Sequence, residues 1–359
     1  MQAAVCYEFG KPLVIEELTI DPPQVGEVKV KLAATAICHS DVHLVRGEWG
    51  GELPVVAGHE SAGIIAEVGP GVTTVKPGDH VVVSLLRSCG RCLYCTTGAP
   101  YNCNGAFALD TQSRLRNPKG QSVQHGIRTA SFAEYTIVDQ TQCVKVPDTM
   151  PLDCAALLAC GVITGLGAVT NTAQIAPRSS VVVFGVGGVG LNSIQGARLS
   201  GARMIIAADL LDSKLAAAQT LGATHVVNLR QGHGVETILA LTGGLGVDYA
   251  FVTVGAPVAV SQAFDLIRPG GTVVVVGLPK SEDTVAINIH RLVSERHIVG
   301  SPMGSTRLSV DVPRLVELYQ QGKLKLDELI TKRYSLAQIN AAIESMERGE
   351  ALRNVIVFP

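Results

Sequence analysis

Cys89, Cys92 and Cys95 are each separated by two residues and Cys103 follows after a longer gap, so four thiols crowd one short loop. Three can come from a tight knuckle, and the fourth closes a tetrahedron. Four thiolates around zinc leave no position for water, which is the structural form of such a site and predicts a pinned surface loop, not a reaction centre. Scattered buried cysteines would need this spacing by chance. A nucleic-acid zinc ribbon would need a basic patch, and only Arg87 and Arg91 are basic nearby.

A second signature is rich in glycine. An apolar run at 181–184 leads into Gly185-Val186-Gly187-Gly188-Val189-Gly190 and then into a helical stretch. In that context Gly185 permits a tight turn, Gly187 lets backbone approach a pyrophosphate, and Gly190 lets helix and strand pack closely. Gly185, Gly187, Gly188 and Gly190 are therefore expected to bind a dinucleotide. The next strand-like run ends at Asp209, near the spacing of about 20 residues at which a carboxylate accepts from the ribose 2′-hydroxyl and repels a 2′-phosphate. NAD is expected over NADP.

A third constellation is less self-evident. Residues 36–43 hold Cys38, His39, Ser40, Asp41 and His43, and Gly58-His59-Glu60 follows. Taken singly, each reads as a core or loop residue as readily as a ligand. Together with the cysteine knuckle, they make the chain similar over essentially its whole length to the zinc-containing medium-chain alcohol dehydrogenases. The resemblance implies a catalytic zinc on Cys38, His59 and Cys160, the two-cysteine, one-histidine set of alcohol dehydrogenases. Two zinc ions per chain are then expected. It implies Glu60 just behind the ligands, and Asp41 either as partner of the other His59 nitrogen or as a loop cap. Three ligands leave zinc a free position, where it lowers the pKa of bound water from about 15.7 to roughly 7 and acts likewise on an alcohol.

The same resemblance implies a proton path from Ser40 through the nicotinamide ribose to His43. Imidazole is the side chain that changes charge nearest neutral pH, although His43 alone also reads as an exposed loop histidine. Cofactor contacts are implied at His39, Lys214 and Arg353, the last on the pyrophosphate; Lys214 and Arg353 read alternatively as surface charges. Trp49, the only tryptophan, is placed with Leu85 and Ile127 at the substrate pocket, or else anchors its loop. A ring at Trp49 narrows one wall while Gly126 opens another, so primary alcohols and aldehydes are expected without a choice of chain length. The stretch between Cys103 and Phe132 is shorter than in formaldehyde-oxidising relatives, and their anion-binding arginine has no counterpart placed in it. A formaldehyde or S-hydroxymethyl-thiol dehydrogenase is the alternative enzyme. A nucleotide- and zinc-binding protein without turnover is the non-enzymatic alternative. Cys160 stands where polyol relatives commonly carry Glu, which speaks against sugar alcohols.

These groups need two frames to position them, since 359 residues exceed one core. From Val28 to Val146 the apolar runs are short, β-branched and broken by Gly, Pro and Asp, which predicts a mostly β domain. The resemblance makes it the GroES-like catalytic domain. Strands at 180–184, 204–208, 225–227, 248–252 and 272–276, with helices such as 191–199 and 213–221, predict a doubly wound parallel sheet, the α/β Rossmann domain. Helices at 312–321 and 336–347 and a strand at 355–358 are expected to return to the first domain. The expected division is 1–151 with 302–359, and 152–301.

Aromatic content of 4% and a net charge of −2 remove the stacking platform and basic field that nucleic acid requires and any polybasic membrane patch. No secretory signal opens the chain, and its longest apolar runs look short and glycine-broken, so no membrane contact is expected. Nine cysteines, four of them at metal spacing, suit a cytoplasmic enzyme. The resemblance adds pairing of cofactor domains through an edge strand near 298–303, giving a homodimer or homotetramer.

Overall fold

A computed structural model describes residues 1–359 as two compact units, Met1–Cys160 with Arg307–Pro359, and Gly161–Thr306. The division falls later than 151 and 302 for a packing reason. Helix Leu152–Leu157 lies on strands Glu27–Ala36 and Glu60–Val68 of the first unit, and Pro302–Ser305 packs on Ile163–Gly167 of the second.

In the first unit a seven-stranded sheet runs Cys143–Lys145, His80–Ser84, Glu60–Val68, Glu27–Ala36, Arg353–Val357, Ile330–Tyr334, with Tyr135–Asp139 also paired to Glu27–Ala36. Strand Glu27–Ala36 alternates as a half-buried strand must: Val28, Val30 and Leu32 are buried, while Lys29 and Lys31 point outward. The C-terminal strand closes the unit by pairing Val355 with Ala36 and Val357 with Ala34. A second sheet gathers Gln2–Cys6, Val55–Val56 and Ser122–His125, and a core including Ile37, Val42 and Phe132 fills the space beside it.

The second unit is a six-stranded parallel sheet in the order His225–Asn228, Met204–Asp209, Ser180–Phe184, Val247–Val252, Ile267–Val275, His297–Gly300. Strand Ser180–Phe184 is buried along its whole length, as a strand covered on both faces must be. Strand order reverses beside it, at the switch point where such sheets bind ligands. Strand Ile267–Val275 starts before the expected 272 because Ile267 already pairs with Val247, ahead of a register shift.

One apolar stretch escaped the sequence reading. Leu152–Ala173 is a single run of α and π turns, long and apolar enough to cross a membrane, yet 89% of its most apolar window is buried inside the protein. The glycines that make it look broken are packing devices. A Cβ on Gly165 would lie 2.1 Å from the Val189 carbonyl oxygen, so only glycine lets this helix sit against Gly188–Leu199.

Candidate active site

Two paired strands bring the first ligands together. Ala36 lies opposite Glu60 in the antiparallel ladder, so Cys38 and His59, just beyond the paired ends, emerge side by side. Gly58 before His59 has φ +93°, and a Cβ there would sit 2.6 Å from the Phe132 and Ser131 side chains. Cys160 arrives from elsewhere, on the π turn Leu158–Val162, a geometry frequent at functional sites and invisible to helical periodicity. The donor atoms of Cys38, His59, Glu60 and Cys160 all lie within 4.8 Å of one another, and all four residues are buried.

This donor set fits a metal. His59 Nδ1 lies 2.8 Å from Asp41 Oδ1, and a carboxylate only accepts, so Nδ1 carries the proton. In the neutral ring that metal binding requires, Nε2 presents its lone pair, and it is buried with no hydrogen-bond partner. Asp41 fills both roles open in the sequence: it accepts from the Cys38 and Gly58 backbone N–H groups, each at 3.0 Å, while it orients His59. The thiol of Cys160 donates toward Cys38 and, against the opposition of burial and with help from His59, holds the Cys38 pKa well below the thiol range. The same bond and burial push Cys160 up. Burial disfavours a charged His59, but Asp41 and the Cys38 thiolate outweigh it and raise its pKa well above the ordinary value. The cluster is thus a nest of anionic donors that favours positive charge at its centre, as two thiolates around a divalent ion do.

Glu60 lies beside Cys38, His59 and Cys160, its carboxylate among the four clustered donors, and it has an unexpected partner. Arg353 donates to its carboxylate, and the two side chains are 6% and 0% exposed. This corrects the surface reading of Arg353: the C-terminal strand delivers its guanidinium into the interior of the first unit. Burial pushes the Glu60 carboxyl up to about 7, partly offset by Arg353.

Ser40 and His43 share helix His39–Val45, Ser40 and His43 half-buried and His39 exposed. His43 is not a bare loop histidine. Its Nδ1 lies 2.7 Å from Glu48 Oε2, and its ring is 5.4 Å from that of Trp49. Glu48 went unnoticed in the sequence because its pairing depends on the turn at Gly47, φ +77°, which folds Glu48 back on the helix. Trp49 is 42% exposed, and Leu85 and Ile127 are half-buried. Gly126 opens no pocket wall: it is buried, and a Cβ there would lie 2.5 Å from the Val56 carbonyl oxygen.

The four-cysteine knuckle is a second metal-competent set, its thiols within 4.8 Å of one another and half-exposed. Backbone N–H groups point at sulfur: Cys89 and Gly105 donate to Cys103 Sγ at 3.2 and 3.4 Å, and Cys92 donates to Cys89 Sγ at 3.3 Å. A Cβ on Gly105 would lie 2.6 Å from Cys89 Cβ, so the cradle admits only glycine. Hydrogen bonds from the Cys95 and Asn104 backbone draw the Cys92 thiol down to about 6. Burial and the neighbouring Cys92 push Cys95 up to about 12. Arg87 ties the lobe down, donating to Asp110 and lying 4.2 Å over the Phe107 ring.

In the second unit the glycines separate by steric role. At Gly185, φ +81°, a Cβ would meet Val254 Cγ1 at 2.2 Å, and on Gly190 it would meet the Gly185 carbonyl oxygen at 2.0 Å. Gly187, the N-cap of helix Gly188–Leu199, has nothing within 4 Å of such an atom and leaves room for phosphate at the helix start. Asp209 ends its strand at 8% exposure and accepts from the backbone N–H groups of Val186 at 2.7 Å, Leu210 at 2.7 Å and Leu211 at 3.0 Å. Its carboxylate is thereby fixed beside the glycine turn. Lys214 is half-buried on helix Asp212–Leu221.

Comparison with known proteins follows these two units. Residues 24–148 match the alcohol dehydrogenase GroES-like domain, and residues 188–321 match the zinc-binding dehydrogenase family. The chain is 40% identical to NDMA-dependent alcohol dehydrogenase of Amycolatopsis methanolica, over 99% of this chain and 98% of that protein. It is 37% identical to S-(hydroxymethyl)glutathione dehydrogenase of Saccharomyces cerevisiae, over 99% and 95% respectively. The structure of benzyl alcohol dehydrogenase from Acinetobacter calcoaceticus superimposes with a TM-score of 0.93 at 36% identity, covering 100% of this chain and 99% of that one.

Proposed function

The chain belongs to the zinc-containing medium-chain alcohol dehydrogenases, and from that premise we propose that it moves hydride between a primary alcohol and NAD, with one zinc ion at Cys38, His59 and Cys160 and another at the cysteine knuckle. The observation that carries the reading is His59 Nε2, buried and partnerless between two thiols. Zinc at such a three-ligand site supplies Lewis acidity at its free position. Ser40 serves to take the alcohol's proton and His43 to accept it last, with Glu48 holding the imidazole in orientation. Asp209 supports NAD, because its carboxylate repels a 2′-phosphate. Thiolate ligands stay usable where thiols are kept reduced, which supports a cytoplasmic setting.

The test is nucleotide reduction with ethanol, hexanol, benzyl alcohol, and formaldehyde plus glutathione, each with NAD and NADP. Turnover confined to the glutathione mixture would replace this reading with the S-hydroxymethyl-thiol one, which similarity to the yeast enzyme supports. Preference for NADP would overturn the role given to Asp209.

The second unit also supports a homodimer or homotetramer. Strand His297–Gly300 is a sheet edge, and Ile289, Val293 and Ile298 are 73%, 81% and 37% exposed around it. Such an edge pairs readily with a copy of itself. Light scattering should give at least a dimer that Ile298→Lys weakens; a monomeric parent protein would refute the pairing.

A further inference from the structure

Cys160 is the one catalytic ligand that no strand end positions. Cys38 and His59 leave paired strands, whereas Cys160 leaves a π turn, whose extra residue sends side chains where an α turn would not. Isolated π turns are rare, so the neighbours of this one decide where Cys160 points.

Ser84 is the neighbour that grips it. Its fully buried hydroxyl donates to the Ala159 carbonyl at 2.6 Å and accepts from the Leu86 N–H at 3.3 Å, which leaves the rotor one orientation. Ser84 ends strand His80–Ser84 and lies opposite Glu60, next to His59. Its own carbonyl accepts from Gln142 Nε2 at 2.8 Å, and the same buried amide reaches the Arg128 carbonyl at 3.1 Å. A chain of hydrogen bonds therefore runs from Gln142 through Ser84 to the residue preceding Cys160. It joins the turn that carries the third ligand to the sheet that carries the other two.

We propose that Ser84 is a positioning residue for the metal centre: its hydroxyl, by holding the Ala159 carbonyl, sets the direction in which Cys160 presents its sulfur to Cys38 and His59. The proposal rests on those three residues being the zinc set. A merely structural hydrogen bond would affect stability and leave metal binding alone. Supporting groups behind metal ligands instead change metal affinity by roughly ten- to a hundredfold when removed, and Ser84, acting through backbone, belongs at the lower end.

The experiment loads the full chain with cobalt(II) and reads the thiolate-to-cobalt absorption and its loss to a competing chelator. The knuckle contributes equally to every variant, so differences report the Cys160 centre. Ser84→Ala should hold this cobalt about tenfold less tightly, with a weakened thiolate band. Ser84→Thr and Ser84→Val match in shape and differ in the hydroxyl, so Thr should stay near the parent and Val should follow Ala. Ser193→Ala is the control: it removes another buried hydroxyl that donates to a helical carbonyl, Gly165 at 3.0 Å, and should leave the cobalt spectrum unchanged. Equal behaviour of Thr and Val, or of Ser84→Ala and the parent, would overturn the proposal, as would a Ser193→Ala shift of the same size. Failure of all three Ser84 variants to fold would assign the hydroxyl to the fold and overturn it too. If Cys160→Ser leaves the spectrum unchanged, the zinc set itself is wrong, which is a different failure.

Discussion

The two thiol clusters are alike in chemistry and opposite in construction. The knuckle draws all four thiols from one partly exposed loop, and local N–H···S bonds and Gly105 shape it. The other centre assembles two thiols and an imidazole from three separate segments and buries them. A site that saturates its metal can be made by a short chain folding on itself. A site that must keep a position free has to stop its own ligands from collapsing around the ion, and that takes a rigid frame. Here the frame is a strand pair, a carboxylate with three hydrogen bonds at Asp41, and a π turn held by Ser84.

The sharpest way to break this division is to remove one thiol from each cluster. Cys38→Ser should lower kcat/KM by at least about a thousandfold, ~4 kcal/mol, with little change in melting temperature and loss of one of two zinc ions per chain by metal analysis. Cys92→Ser should instead cost about 3 kcal/mol of stability, lowering the melting temperature by roughly 6–12 °C, while the folded fraction keeps its kcat. Equal melting of the two variants would erase the distinction. A smaller effect sharpens it: His43→Gln should reduce turnover by about a hundredfold near neutral pH with both zinc ions retained, because the reactive centre needs a proton exit and the knuckle does not. Unchanged turnover would remove His43 from the path. The smallest leaves both clusters intact. Asp209→Asn should shift the NADP-to-NAD ratio of kcat/KM by about tenfold, ~1.4 kcal/mol, at unaltered zinc content, and an unmoved ratio would show that preference is set elsewhere.

Legibility in the sequence followed the range of the contacts involved. The knuckle and the Gly185–Gly190 loop are visible because their geometry is enforced by residues a few positions apart. The parallel strands were visible for a related reason, since burial on both faces leaves an unbroken apolar run such as Ser180–Phe184. The buried helix Leu152–Ala173 was hidden because its glycines pack rather than interrupt, and Gly126 misled for the same reason. Glu48 and Ser84 gave no signal at all: their partners are set by a turn and by a strand end.

By itself the sequence determined a two-domain α/β chain, a cluster of four thiols and a glycine-rich turn followed by a strand ending in a carboxylate, because each is written in local spacing. The catalytic set needed likeness to a family before it could be read. Tertiary structure alone decided that Arg353, 293 positions from Glu60, closes on that carboxylate, that Asp41 both caps its loop and orients His59, and that Cys160 reaches the others on a π turn. Spacing along the chain carries no information about such contacts; the pairing of strands and the burial of charge bring them about.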